Sequence, residues 1–233
     1  MTSRARDLVV MVTGATGAAG RSTCAALAAA GHRVIAVGRD EAALADVRAD
    51  RIFGRVCELT DQVAVADLVR SVREEMGAID GLVHLVGGWR GGSTFSANTE
   101  QDWTFLSANL IDTLRHVTLQ VHDDLLASEF GRAVIVSAQA ARRPTAGNAN
   151  YATAKAAAEA WLQALADSLR RNQSGKKDDP RPQTSAAVIL VVKAIGEQAG
   201  FTTTRSLADR ITGLFDADAA ELNGARIDLS ARS

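Results

Sequence analysis

The sequence predicts an α/β fold: a doubly wound parallel sheet of about seven strands with helices on both faces. Three observations predict it. Short continuous apolar runs rich in β-branched residues recur along the chain, as strands buried on both faces require. Ala-rich or amphipathic helical segments separate those runs, so strand and helix alternate. The 233 residues, 47% hydrophobic and 23% charged, suit one layered domain over residues 1–233.

In chain order, residues 7–13, 32–37 and 51–57 read as strands, followed by 79–86, 133–137, 186–192 and 225–229. Residues 21–30 form an Ala-rich helix closed by Gly31, and residues 41–48 form a short one. Residues 61–76 carry apolar positions at helical spacing, and 100–128 and 148–170 are two long helices. Residues 172–185, polar and holding Pro180 and Pro182, read as a mobile loop. Right-handed crossovers then place the helices on both faces of the sheet.

Composition excludes several function classes. Lys plus Arg is 26 and Asp plus Glu is 27, which leaves no basic excess for a nucleic acid. His32, His84, His116 and His122 lack the i, i+4 pairing of a helical zinc site, so no metal is expected. Cys24 and Cys57 are too few for a disulfide framework. No apolar run approaches the ~20 residues that span a bilayer, and the first residues show no signal-peptide core. The expectation is a cytoplasmic protein acting on a small molecule, with neither nucleic acid nor membrane as partner.

Between the first strand and first helix, Thr13 to Gly20 reads TGATGAAG. Gly14 permits the tight turn, Gly17 lets backbone approach a diphosphate, and Gly20 lets the helix pack closely on the sheet. Helix N-terminal amides, with Thr16, Ala18 and Ala19 around them, then face the phosphates. This is the Rossmann-like dinucleotide turn; the bland alternative is a tight turn without a ligand. The next strand ends Val37-Gly38-Arg39-Asp40. With Gly38 in the usual acidic slot, Arg39 is free for a 2′-phosphate, favouring NADP(H) over NAD(H). A shift of one or two positions puts Asp40 there and reverses the preference; Asp40 reads better as the N-cap of the following helix.

Tyr151 and Lys155 stand at i and i+4, hence on one helix face. A nearby ammonium favours the phenolate and lowers the Tyr pKa, which suits proton exchange with a carbonyl or alcohol oxygen. On these features the chain resembles the short-chain dehydrogenase/reductase superfamily along nearly its whole length. They are Thr13 to Gly20, the Asn109-Leu110 step, the strand ending at Ser137, and Tyr151 to Lys155. The resemblance implies an NAD(P)(H)-dependent oxidoreductase passing a hydride between nicotinamide and a small carbonyl or alcohol. It implies that Tyr151 is the general acid/base, and that Lys155 orients the nicotinamide ribose and tunes Tyr151. Asn109 would hold a relay water and Ser137 the substrate oxygen. Glu58, Leu59, Val86, Gly87 and Gly88 would complete the cofactor cleft. A homodimer or homotetramer, joined through the two long helices, is also implied.

Within the superfamily the chain is similar to dihydropteridine reductases, on Val86 to Gly92 (VGGWRGG) and Ser137 to Ala141 (SAQAA). That likeness implies a pterin-like substrate beside Trp89 and Gln139. Four departures stand out. His84-Leu-Val-Gly87 replaces the usual Asn-Asn-Ala-Gly, removing the polar groups that brace the fourth strand; His84 itself reads as a buried strand residue. Glu58 replaces an Asp. Ala138 aligns with the usual serine, so Ser137 serves only if the chain bulges. Residues 192–204 lack the Pro-Gly turn and leave little room for a substrate lid. The altered strand-four motif and the missing Pro-Gly turn motivate a rival reading, a non-catalytic dinucleotide-binding sensor or scaffold.

Overall fold

The computed structural model describes residues 7–176 and 178–230. Its sheet contains β1 (Val9–Thr13), β2 (Arg33–Gly38), β3 (Ile52–Val56), β4 (Gly81–His84), β5 (Arg132–Ala138), β6 (Ala186–Val192) and β7 (Arg226–Asp228). All neighbours pair in parallel, in the order β3-β2-β1-β4-β5-β6-β7. The chain therefore starts mid-sheet, builds to one edge, and returns across β1 to build the other. The seven-stranded doubly wound sheet expected from the sequence is present.

The helices are α1 (Ala18–Ala29), α2 (Glu41–Ala45), α3 (Gln62–Met76), α4 (Glu100–Ser107), α5 (Thr113–Ala127), α6 (Ala149–Gln173), α7 (Thr204–Gly213) and α8 (Ala219–Leu222). Strand alternation divides the core in two. Val9 and Met11 meet Val69 of α3, Val117 of α5 and Leu162 of α6 on one face. Val10 and Val12 meet Leu27 of α1 and Ile211 of α7 on the other. No helix among the described residues is long and apolar enough to cross a membrane.

Two expectations need correction. The helix read over 100–128 is broken by a π-helical turn, Ala108–Asp112, between α4 and α5. Asn109 Nδ2 donates to Phe105 O at 2.8 Å and Thr113 Oγ1 donates to Asn109 O at 2.6 Å. Side chains that compete for carbonyls in this way widen the helical ladder locally. The described residues of the stretch read as a mobile loop are instead tied down. Helix α6 runs on to Gln173, and Gly175–Lys176 pairs with Asp179–Pro180 in a short hairpin. The Gln173 amide donates to Leu126 O and accepts from Thr184 N and Ser185 N.

The first turn positions the site. Gly14 has φ +72°, and a Cβ there would lie 2.8 Å from Leu85 C and O. A Cβ on Gly20 would lie 2.3 Å from Gly14 O. Only glycine lets α1 start this close to the ends of β1 and β4. Gly20→Ala is therefore expected to destabilise the protein by about 2 to 3 kcal/mol. Gly213→Ala, with nothing beyond its own helix backbone within 4 Å of the added methyl, should cost nothing measurable. Denaturant unfolding of the two variants checks this, and equal stabilities would contradict the close approach.

Candidate active site

Two cavities of ≈ 250 and ≈ 320 Å³ lie beyond the carboxyl ends of the strands and share Leu85, Val86 and Gly87. They sit where the strand order turns back between β1 and β4, the usual ligand crevice of a doubly wound sheet. The smaller one is lined by Gly14, Thr16, Gly17, Arg39, Glu58, Leu59 and Asn109. The larger one is lined by Ala19, Gly88, Trp89, Ser137, Tyr151 and Lys155. Residues far apart in sequence are thus brought onto one continuous cleft. Ala18 and Gly20 line neither cavity: Ala18 is exposed at the first position of α1, and Gly20 is buried beneath the turn.

The lining of the smaller cavity suits the adenosine and phosphate end of a dinucleotide. Helices α2, α3, α4, α7 and α8 each start with a side-chain cap, from Asp40, Asp61, Thr99, Thr203 and Asp218. Helices α5 and α6 have no such cap but continue from the helical turns before them, whereas α1 starts at Gly17 with none. Its first amides are left for an outside acceptor, which a diphosphate supplies. A Cβ on Gly17 would meet only Gly14 O, at 3.6 Å, so this side of the turn is open. Asp40 is spent on Ala42 N at 2.9 Å and Ala43 N at 3.2 Å, as expected of an N-cap. Arg39 remains at the cavity, 71% exposed and 3.7 Å from Glu58 Oε2.

Tyr151 and Lys155 project from the first turns of α6. Lys155 is buried, and its Nζ donates to Val136 O at 2.8 Å. Burial pulls its pKa down to about 8, against the opposing charge of Glu159. The ammonium lies 5.9 Å from the Tyr151 ring centroid. The Tyr151 pKa is raised by burial. This corrects the expectation that Lys155 lowers it: the amine is turned to a strand carbonyl, and desolvation of the phenol dominates.

The brace that the sequence marks as missing from β4 is present, and His84 supplies it. His84 Nδ1 lies 2.8 Å from Thr13 Oγ1, and Nε2 lies 3.2 Å from Thr113 Oγ1. The Thr113 hydroxyl gives its single proton to Asn109 O, so at His84 it accepts. The network thereby assigns the proton to Nε2, leaving Nδ1 to accept from Thr13. The ring is neutral: burial, then the nearby charge of Lys155, pushes its pKa down to about 3. β1, β4 and α5 are thus pinned together through one imidazole.

Two other expected positions differ. β5 pairs with β6 without a bulge through Ser137↔Val191 and Ala138↔Val192. The buried Ser137, at the wall of the larger cavity, donates its hydroxyl to Glu159 Oε1 at 2.6 Å. Gln139 donates to Ser230 Oγ at 2.6 Å and lines a separate cavity with Arg142, Arg143, Arg226 and Asp228. The chain leaves the strand at Ala138, which turns Gln139 away from Tyr151. Sequence reasoning missed Thr113 and Glu159, whose only signals are their places one helical turn after Asn109 and Lys155.

A sequence profile of the family described as short chain dehydrogenase matches residues 8–173. The chain belongs to the short-chain dehydrogenase family. It is 33% identical over 166 residues to acetoacetyl-CoA reductase of Allochromatium vinosum, covering 68% of this chain and 67% of that one. It is 36% identical over 171 residues to the short-chain reductase protein NovJ of Streptomyces niveus, covering 70% and 64%. Against the 3-oxoacyl-[acyl-carrier-protein] reductase FabG of Escherichia coli the identity is 27%, covering 68% and 66%. The aligned stretch spans about two thirds of the length of each of these relatives. An NADPH-bound short chain oxidoreductase of Pseudomonas aeruginosa with an atypical catalytic centre superposes with TM-score 0.83 at 18% identity, over 97% of this chain and 99% of that one. NAD⁺-bound xylitol dehydrogenase gives 0.82 at 17%, with the same coverage. These neighbours share the fold of this short-chain dehydrogenase.

The buried histidine has a consequence for stability. Its unfolded pKa is near 6.5 and its folded pKa about 3, so the unfolded chain binds the extra proton between them. Stability that depends on neutral His84 is complete above pH 6.5 and is lost as pH falls toward 3. The Tm of the native chain should therefore decline on acidification through this window more steeply than that of His84→Asn. Parallel declines would contradict a buried neutral imidazole.

Proposed function

We propose that this short-chain dehydrogenase is an NADPH-dependent reductase of a small carbonyl or pterin-like compound, with Tyr151 donating the proton. The observation that carries this reading is the joining of two cavities, one lined by the glycine turn and the other by Tyr151 and Lys155. A bound nicotinamide dinucleotide supplies the hydride. Gly14, Thr16 and Gly17, with Ala19 at the start of α1, would hold the diphosphate. Arg39, released from Glu58, would take a 2′-phosphate. Glu58 and Leu59 would border the adenine, and Val86, Gly87 and Gly88 would floor the cleft between its two ends.

With a dinucleotide bound, Lys155 would turn from Val136 O to the nicotinamide ribose and bring its charge to the phenol. The Tyr151 phenol, kept protonated by burial, is suited to donate to a carbonyl oxygen. Trp89, 61% exposed at the mouth, offers a flat face to a planar substrate, and this supports the pterin-like class. Asn109 O keeps a second lone pair for a relay water beside the Thr113 bond. Ser137 is assigned to holding Glu159, and substrate alignment is left to the cleft walls. The related acetoacetyl-CoA and 3-oxoacyl reductases support reduction of a carbonyl as the reaction.

Tyr151→Phe should lower turnover at least ~100-fold while leaving NADPH affinity, read by fluorescence titration, within a few-fold. Unchanged turnover removes the mechanism, and tighter binding of NADH than NADPH removes the Arg39 assignment. Binding without turnover of carbonyls, quinones or pterins leaves the rival reading, a dinucleotide-binding sensor or scaffold.

The outer faces of α5 and α6 form an apolar groove lined by Leu119, Trp161 and Leu165, with Leu119 53% exposed. A second copy of the chain is the occupant proposed here, giving a homodimer or homotetramer. Light scattering should return a multiple of the 24.5 kDa chain, and a dimer or larger species should fall apart in Leu119→Lys. A monomeric native protein overturns this.

A further inference from the structure

Glu159 is a buried carboxylate that the proposed reaction does not use. It lies one helical turn beyond Lys155 on α6, so the two side chains share a face. Both residues are only 8% exposed. Glu159 Oε1 accepts from Ser137 Oγ at 2.6 Å, and Oε2 accepts from Arg226 Nε at 2.9 Å. A carboxylate is kept ionised at such depth only when hydrogen bonds and an opposite charge compensate it. Here Ser137 supplies a hydrogen bond from β5, and Arg226 supplies both from β7. Arg226 depends on the same contact, because its buried Nη2 has no partner.

The surroundings of Lys155 single out this group. From its own helix it faces Tyr151 and Glu159, and from β5 the Val136 carbonyl. From β4 it faces His84, held neutral. Lys193, after β6, lines the same cavity, and Arg226 of β7 stands behind Glu159. Glu159 is the one negative group among them.

We infer that Glu159 is a positioning residue for Lys155: held by Ser137 and Arg226, its carboxylate is the counter-charge that keeps the buried ammonium protonated. The inference rests on the reading that Tyr151 and Lys155 carry the reaction. Burial pulls the amine down to about 8, and Glu159 works against that pull. Arg226 is a cation behind the carboxylate, so it partly cancels what Glu159 does for Lys155. The two residues therefore act on the ammonium with opposite sign.

The test follows from those signs. In the full chain carrying ε-¹⁵N-labelled lysine, the Lys155 signal, assigned by its loss in Lys155→Met, is titrated by NMR from about pH 6 to 10, and kcat/KM with NADPH is followed over the same range. Glu159→Gln should lower the Lys155 midpoint by about one pH unit, and Glu159→Asp should restore most of it. Arg226→Met should raise the midpoint. The alkaline limb of kcat/KM should move with it, costing Glu159→Gln up to about tenfold in rate on that limb. An unchanged midpoint in Glu159→Gln overturns the inference, as does a shift of the same sign in Glu159→Gln and Arg226→Met, which marks loosened packing. If Glu159→Gln does not fold, a midpoint in Arg226→Met that fails to rise overturns it equally. Midpoints that shift as expected in a protein without turnover uphold the role of Glu159 and count against the proposed reductase.

Discussion

The close approach of backbone at Gly14 and Gly20 is the constraint on which the cleft depends. With Gly14 against the carbonyl of Leu85 and Gly20 against the carbonyl of Gly14, α1 starts directly at the strand ends. That placement starts α1 at the crevice, with Gly17 in the lining of one cavity and Ala19 in that of the other. It also brings the end of β4 to the turn, so that Leu85, Val86 and Gly87 serve both cavities. A larger residue at either glycine would push the helix outward and separate the two halves of the site.

Burial of charge governs the other half. Lys155 is withdrawn from water beside His84, and two neighbouring cations in that setting repel strongly. The histidine answers by staying neutral, and its two ring nitrogens are used in opposite roles by Thr13 and Thr113. On the far side of Lys155, Glu159 links β5 to β7 through Ser137 and Arg226. The same groups that carry charge near the phenol therefore also bind strands to helices. Polar chemistry and mechanical bracing are one network here.

Much of this was legible in the sequence, and the reasons are local. Val9 to Thr13 is continuously apolar and β-branched, and all five residues are buried in β1. The glycine spacing and the Tyr151–Lys155 spacing are short-range patterns, and both halves of the cleft follow from them. What stayed hidden depends on partners distant in sequence. Thr113 is 29 positions from His84, and neither residue advertises the other. The π-helical turn arises from side chains bonding backbone one turn away, which leaves the apolar spacing of 100–128 unchanged. Ser137 and Ala138 both border the larger cavity, and that the Ser137 hydroxyl is taken by Glu159, 22 positions on, cannot be read from spacing to Tyr151. Gln139 lies in a separate cavity because the chain turns away directly after β5.

The chain contains one tyrosine, Tyr151, among 233 residues. Its three tryptophans absorb in the near ultraviolet but do not ionise in the alkaline range where a phenol does. Any tyrosinate band in this protein's difference spectrum belongs to a single atom, the Tyr151 oxygen. The ionisation of the group assigned the proton can thus be watched by simple absorbance, unlabelled, in the native chain.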